Sequence, residues 1–183
     1  MTAKGKNKMK PLFFFIPLFI ILVIEGIAID FLPQFLAKAN LLATPHWIFM
    51  FLLLMTFKFD TNDTYYAVIY GAVFGMLVDI VYSDVLGIYL FIYPFVIYLV
   101  HISKRFLQTN FYMLLIIASV SLLIVEILLF IVYSFVLSLD LGQLYFLFNR
   151  YIPTLFANIL FLLLLYVLFS GMMERWRRDL FHE

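Results

Sequence analysis

Apolar residues fill this chain in six runs, at roughly 11–31, 41–57, 64–82, 85–103, 110–139 and 150–173, with short polar breaks between them. Five of the runs approach or exceed the ~20 residues a helix needs to cross a ~30 Å hydrocarbon layer, which predicts membrane-spanning helices. The second is shorter. Its uninterrupted part, 46–57, follows Pro45, and length alone fits a re-entrant or interfacial piece as well as a span. The connections are short, so consecutive helices are predicted to be antiparallel neighbours.

Charge placement separates the two readings of the second run. If all six runs cross and the N-terminus is cytoplasmic, the inner side holds Lys4, Lys6, Lys8, Lys10, Lys58, Lys104, Arg105, Arg175, Arg177 and Arg178. Only Lys38 and Arg150 of the twelve Lys and Arg then lie outside. If the second run turns back, later segments invert and the tally becomes five inside and seven outside, against the positive-inside rule. Six spans with both termini cytoplasmic, in one domain over 1–183, is the expected architecture. The first run extends past signal-peptide length with no clear cleavage site after its apolar core, so it is expected to remain as a helix.

Composition changes the picture by exclusion. Hydrophobic residues make up 66% of the 183 and charged residues 13%, with mean hydropathy +1.09, far from the roughly half apolar and quarter charged of soluble domains. Cysteine is absent, which removes thiol catalysis, disulfides and thiolate metal sites. His46, His101 and His182 are scattered without a ligand partner at helical spacing, and no Walker loop, GxSxG, HExxH or GxGxxG is present. No catalytic residue, metal, cofactor or nucleic-acid partner is expected. The Lys-rich N-terminus and Arg175-Trp176-Arg177-Arg178 read as membrane anchors, and Asn62-Asp63-Thr64 reads as a helix N-cap.

The third run carries the most specific pattern. Ala67, Gly71, Gly75 and Asp79 recur at every fourth position and share one face of a helix, a small-residue stripe that admits another backbone closely and is expected to serve helix packing or, as the favoured reading, the docking of a partner helix. A carboxyl facing lipid is costly, so Asp79 is expected to face protein or water. Glu25, Asp30 and Glu126 lie with it in the middle or outer part of the bilayer, and Arg150 is the base at that depth. Asp30 reads as an interfacial residue at a helix end. Glu25 and Glu126 suit helix packing or ligand contact equally. Arg150 is expected to pair with an acid of the third or fifth helix, or else to snorkel to the interface. Glu25, Asp79, Glu126, Arg150 and Asn158 form one polar network if the first, third, fifth and sixth helices surround it. Gly87, Pro94 and Pro153 are expected to set helix geometry, with Pro153 in the first turn of the sixth helix.

The run YGAVFGMLVDIVYSDVLGIYLF, with its glycine pair, Asp79 and Leu86-Gly87-Ile88-Tyr89, resembles the core of the MreD family of bacterial rod shape-determining membrane proteins. Glu126 within VEILLF, and Arg150-Tyr151-Ile152-Pro153-Thr154-Leu155 followed by Asn158, resemble that family's fifth- and sixth-helix motifs in order and spacing. The resemblance implies a non-enzymatic subunit of peptidoglycan elongation in the bacterial cytoplasmic membrane. It further implies association with MreC, and through it with RodA, a class B penicillin-binding protein and MreB, in a membrane-lipid setting. It also implies a fold similar to the substrate-binding S-components of energy-coupling-factor transporters. That likeness supplies the alternative, a small-molecule-binding protein.

Overall fold

The computed structural model describes residues 10–37, 43–83, 85–107, 110–137 and 144–181, with the side chains of 10, 30–37, 136, 137 and 144–150 outside the description. Among the described residues the chain is helical, without strands. A 3-10 turn, Lys10–Phe14, leads into α1, Phe15–Ala37. Then follow α2, Trp47–Lys58; α3, Tyr66–Tyr82; α4, Ile88–Lys104; α5, Phe111–Leu137; and α6, Leu144–Phe181. Stretches of α1, α5 and α6 are long and apolar enough to cross a membrane, while α2, α3 and α4 are shorter apolar helices. Several large side chains of the outer helices are exposed, among them Phe91, Phe135, Phe156 and Val167, as lipid-facing residues are. This is a membrane protein.

The short second helix is the centre of the bundle. Every residue from Ile48 to Phe57 is buried, so α2 is apolar on all sides and enclosed by its neighbours. It contains no Gly, Pro or β-branched run, and Leu, Met and Phe fill its interior. Its last turn ends where Phe59 and Asp60 N–H groups both donate to the Met55 carbonyl, and Lys104 Nζ donates to the Thr56 and Asp60 carbonyls. At 1.5 Å per residue the 12 residues of α2 cover about 18 Å.

Helices α3 and α4 form a tight hairpin. Gly87 supplies the left-handed turn, with φ +100°, that starts α4. A Cβ added at Gly71 would lie 3.3 Å from the Pro94 backbone, and one at Gly75 would overlap the Tyr89 carbonyl and sit 3.1 Å from Leu90 Cα. The small-residue stripe is therefore filled by α4 of the same chain, which leaves no space for a partner helix on that face. In lipid, where apolar burial between helices gains little, such close backbone approach is what holds a pair together.

Three expectations change. The sixth helix begins at Leu144, so Pro153 lies in its interior and not in its first turn. Neighbouring groups in a bundle can re-satisfy the backbone that an interior proline frees. The chain from 144 to 149, expected as loop, belongs to this helix. The acid that caps α3 is Asp60 and not the Asn62-Asp63-Thr64 sequence: its two carboxylate oxygens accept the Tyr66 and Ala67 N–H groups at 3.1 and 2.9 Å.

Candidate functional site

Backbone N–H groups at helix starts have no partner within their own helix, and lipid offers no water to replace one. Two of the intramembrane acids answer that need. On α1, Glu25 Oε2 accepts the Ile48 N–H at 2.8 Å, at the start of α2. On α3, Asp79 accepts three: Tyr89 N–H to Oδ1 at 2.9 Å, with Gly87 and Leu90 N–H to Oδ2 at 3.1 and 2.9 Å. Both carboxyls are buried, and each turns acceptor oxygens to the positive end of a helix dipole.

The chain enters α2 through a non-helical segment, 43–46, that is paired by side chains of α6. Thr154 Oγ1 accepts the Thr44 N–H at 3.1 Å, and Asn158 Oδ1 accepts the His46 N–H at 2.7 Å. The Asn158 amide then donates to the Thr44 and Thr154 carbonyls, each at 2.8 Å. Irregular backbone at membrane depth persists only where protein satisfies it in this way.

His46 is the junction of these elements. Its Nε2 lies 3.1 Å from Glu126 Oε1 on α5, and its Nδ1 lies 3.0 Å from the Tyr93 hydroxyl on α4. With Nε2–H donating to the carboxylate, Nδ1 is the acceptor for Tyr93. The ring is 1% exposed and Glu126 3%, so neither has bulk water to fall back on. Tyr93 packs edge-on against Tyr89, whose backbone is held by Asp79, and this joins the two clusters. One residue thus ties α2 to α4, α5 and α6, while Glu25 adds α1.

Of the expected site residues, Glu25, Glu126 and Asn158 converge around the entry to α2, and Asp79 sits at the adjoining start of α4. The Asp30 and Arg150 side chains lie outside the described residues. Within those residues, Asp79 is matched by backbone N–H groups and Glu126 by His46. Sequence reasoning passed over His46, Tyr93, Thr154 and Asp60. One signal for His46 was present: a helix too short to cross, preceded by Pro45, needs polar side chains to serve its non-helical approach. No group of three or more metal-binding side chains occurs among the described residues. Chemically, the arrangement pairs buried donors with buried acceptors from all six helices and so fixes how those helices meet.

The family model for rod shape-determining protein MreD matches residues 10–176, a span that contains every member of this polar core. The rod shape-determining protein MreD of Bacillus subtilis (strain 168) is 28% identical over 171 residues, covering 91% of this chain and 98% of that protein. No solved structure matches the chain. A family match over nearly the whole chain places this membrane protein in the MreD family of rod shape-determining proteins.

Proposed function

We propose that this protein is a non-enzymatic, multi-pass subunit of the peptidoglycan elongation machinery in the bacterial cytoplasmic membrane. In this reading it packs against MreC and helps organise RodA, a class B penicillin-binding protein and MreB. The observation that carries it is the engagement of Glu25, Asp79, His46, Glu126 and Asn158 with one another or with helix starts. Polar groups that hold a bundle in one shape suit a scaffold.

The same geometry supports six crossings. The 12-residue α2 covers about 18 Å, and the four non-helical residues at 43–46 add at most about 13 Å, a total of up to the ~30 Å hydrocarbon thickness. With α2 crossing, the basic ends of α2, α4 and α6 share the cytoplasmic side, as the positive-inside rule asks.

The alternative, a small-molecule-binding S-component of an energy-coupling-factor transporter, draws on the convergence of polar groups from several helices. It is disfavoured because those groups are taken up by one another or by helix starts. The test is crosslinking in native membranes followed by purification and mass spectrometry. Recovery of MreC with cell-wall synthases is the expected outcome. Recovery of a transporter energising module would overturn it.

A further inference from the structure

At the basic end of the bundle two cavities meet. One, of about 260 Å³, is polar and lined by Asp60, Thr61, Asn62, Lys104, Arg105, Leu107 and Arg177. The other, of about 220 Å³, is a mostly apolar groove between α4 and α5, whose walls include Val96, Val100, Leu107, Ile117, Val120 and Ile124. Leu107 lines both, so the cationic pocket and the groove lie side by side against one residue. From Ser103 back to Val96 the groove follows α4 for about 10 Å, roughly a third of the hydrocarbon thickness.

The charge of the pocket is positive. Lys104, Arg105 and Arg177 face one acid, Asp60, whose carboxylate oxygens are turned into the start of α3 and accept the Tyr66 and Ala67 N–H groups. Arg105 is exposed, and one of its amino groups, Nη2, holds the Asn62 carbonyl and the Tyr65 hydroxyl. A guanidinium fixed by one edge still presents donors in a planar fork that matches phosphate. Phe106, 84% exposed, stands beside it, as an apolar side chain does where a chain end meets lipid.

We propose that this joined site binds one anionic glycerophospholipid, with its phosphate on Arg105 and the neighbouring cations and an acyl chain along the α4–α5 groove. Charge complementarity in the pocket and an apolar groove beside it match an anionic lipid. A soluble phosphate would use the pocket alone, and a neutral lipid would gain nothing from the cations.

The test is native mass spectrometry of the full-length protein in nonionic detergent. Equimolar phosphatidylglycerol and phosphatidylcholine of matched chains are offered, with glycerol 3-phosphate as the headgroup-only competitor. Preferential retention of phosphatidylglycerol is expected. Arg105→Gln should lower that preference about fivefold, the value of one cation near an anionic headgroup, and Arg105→Lys should restore most of it. Arg178→Gln, at the same end but outside the pocket, should leave the preference unchanged. Val120→Trp should fill the groove and reduce retention of lipid. Equal retention of the two lipids would overturn the proposal, as would equal loss from Arg105→Gln and Arg178→Gln. Displacement by glycerol 3-phosphate together with indifference to Val120→Trp would also overturn it, leaving an anion pocket only.

Discussion

Asp79 Oδ1 accepts the Tyr89 N–H at 2.9 Å across the turn from α3 to α4, and its second oxygen takes the Gly87 and Leu90 N–H groups. A helix start that would otherwise be stripped of partners in lipid is closed by one side chain. Asp79→Ala should therefore cost more than the ~0.5 to 2 kcal/mol of a cap in water. Asp79→Asn keeps one acceptor and should cost less. Unfolding midpoints of the purified variants in detergent provide the check, and equal loss from Asn and Ala would argue against capping as the role of Asp79.

Gly75 and Gly171 make opposite predictions from the same chemistry. Gly75→Ala places a methyl against the Tyr89 carbonyl, so the α3–α4 hairpin must part, whereas nothing lies within 4 Å of a Cβ at Gly171. Gly75→Ala should lower stability by about 1 to 3 kcal/mol and Gly75→Leu by more. Gly171→Ala should be neutral or stabilising by up to about 1 kcal/mol. Leu77→Ile, at the depth of Gly75 on another side, should be tolerated. The readout is thermal unfolding of each variant.

Asp60 sits in the connection between α2 and α3, outside the spanning helices. Burial pushes its carboxyl up to about 7, against the opposing pull of the Ala67 N–H, the Lys104 charge, the Tyr66 N–H and the Thr64 hydroxyl. The folded state then holds a proton that the unfolded chain, titrating near 3.8, has already lost. Stability from this group is greatest at low pH and declines as pH rises from about 4 to about 7. Unfolding followed from pH 5 to pH 8 should show that decline, and Asp60→Asn should flatten it. An unchanged pH profile in Asp60→Asn would exclude Asp60 as its source.

The basic end of the bundle predicts topology. With α2 crossing, as proposed, reporters fused after Glu183 or within 104–108 should report cytoplasm, and those within 141–148 the exterior. A C-terminal reporter active only outside the cell would mean that the second run turns back.

Much of this was legible in the chain, and the reasons differ by element. The six apolar runs give the six helices because lipid selects composition over whole segments, so boundaries blur only at ends such as Leu144, where the chain stays helical beyond its most apolar part. The stripe of Ala67, Gly71, Gly75 and Asp79 is visible because its period matches the helix, yet spacing carries no information on which helix fills it. His46 was invisible for the opposite reason. A lone histidine has no period, and its partners Tyr93, Glu126 and Asn158 lie 47, 80 and 112 residues away. Asp60 caps a helix from six and seven residues upstream, outside the local spacing by which N-caps are read.

The account rests on His46 and Glu126 acting as an internal fastening between α2 and α5, and a double-mutant cycle tests that most directly. His46→Phe, Glu126→Leu and the double variant are purified and their unfolding free energies measured in mixed micelles. Each single change strands a buried polar group and should cost about 1 to 5 kcal/mol. The double variant should lose less than the two losses added together, by at least about 1 kcal/mol, as for residues in direct contact. Losses that add to within about 0.5 kcal/mol would mean the two side chains do not hold each other, and the polar core would not be the fastening described.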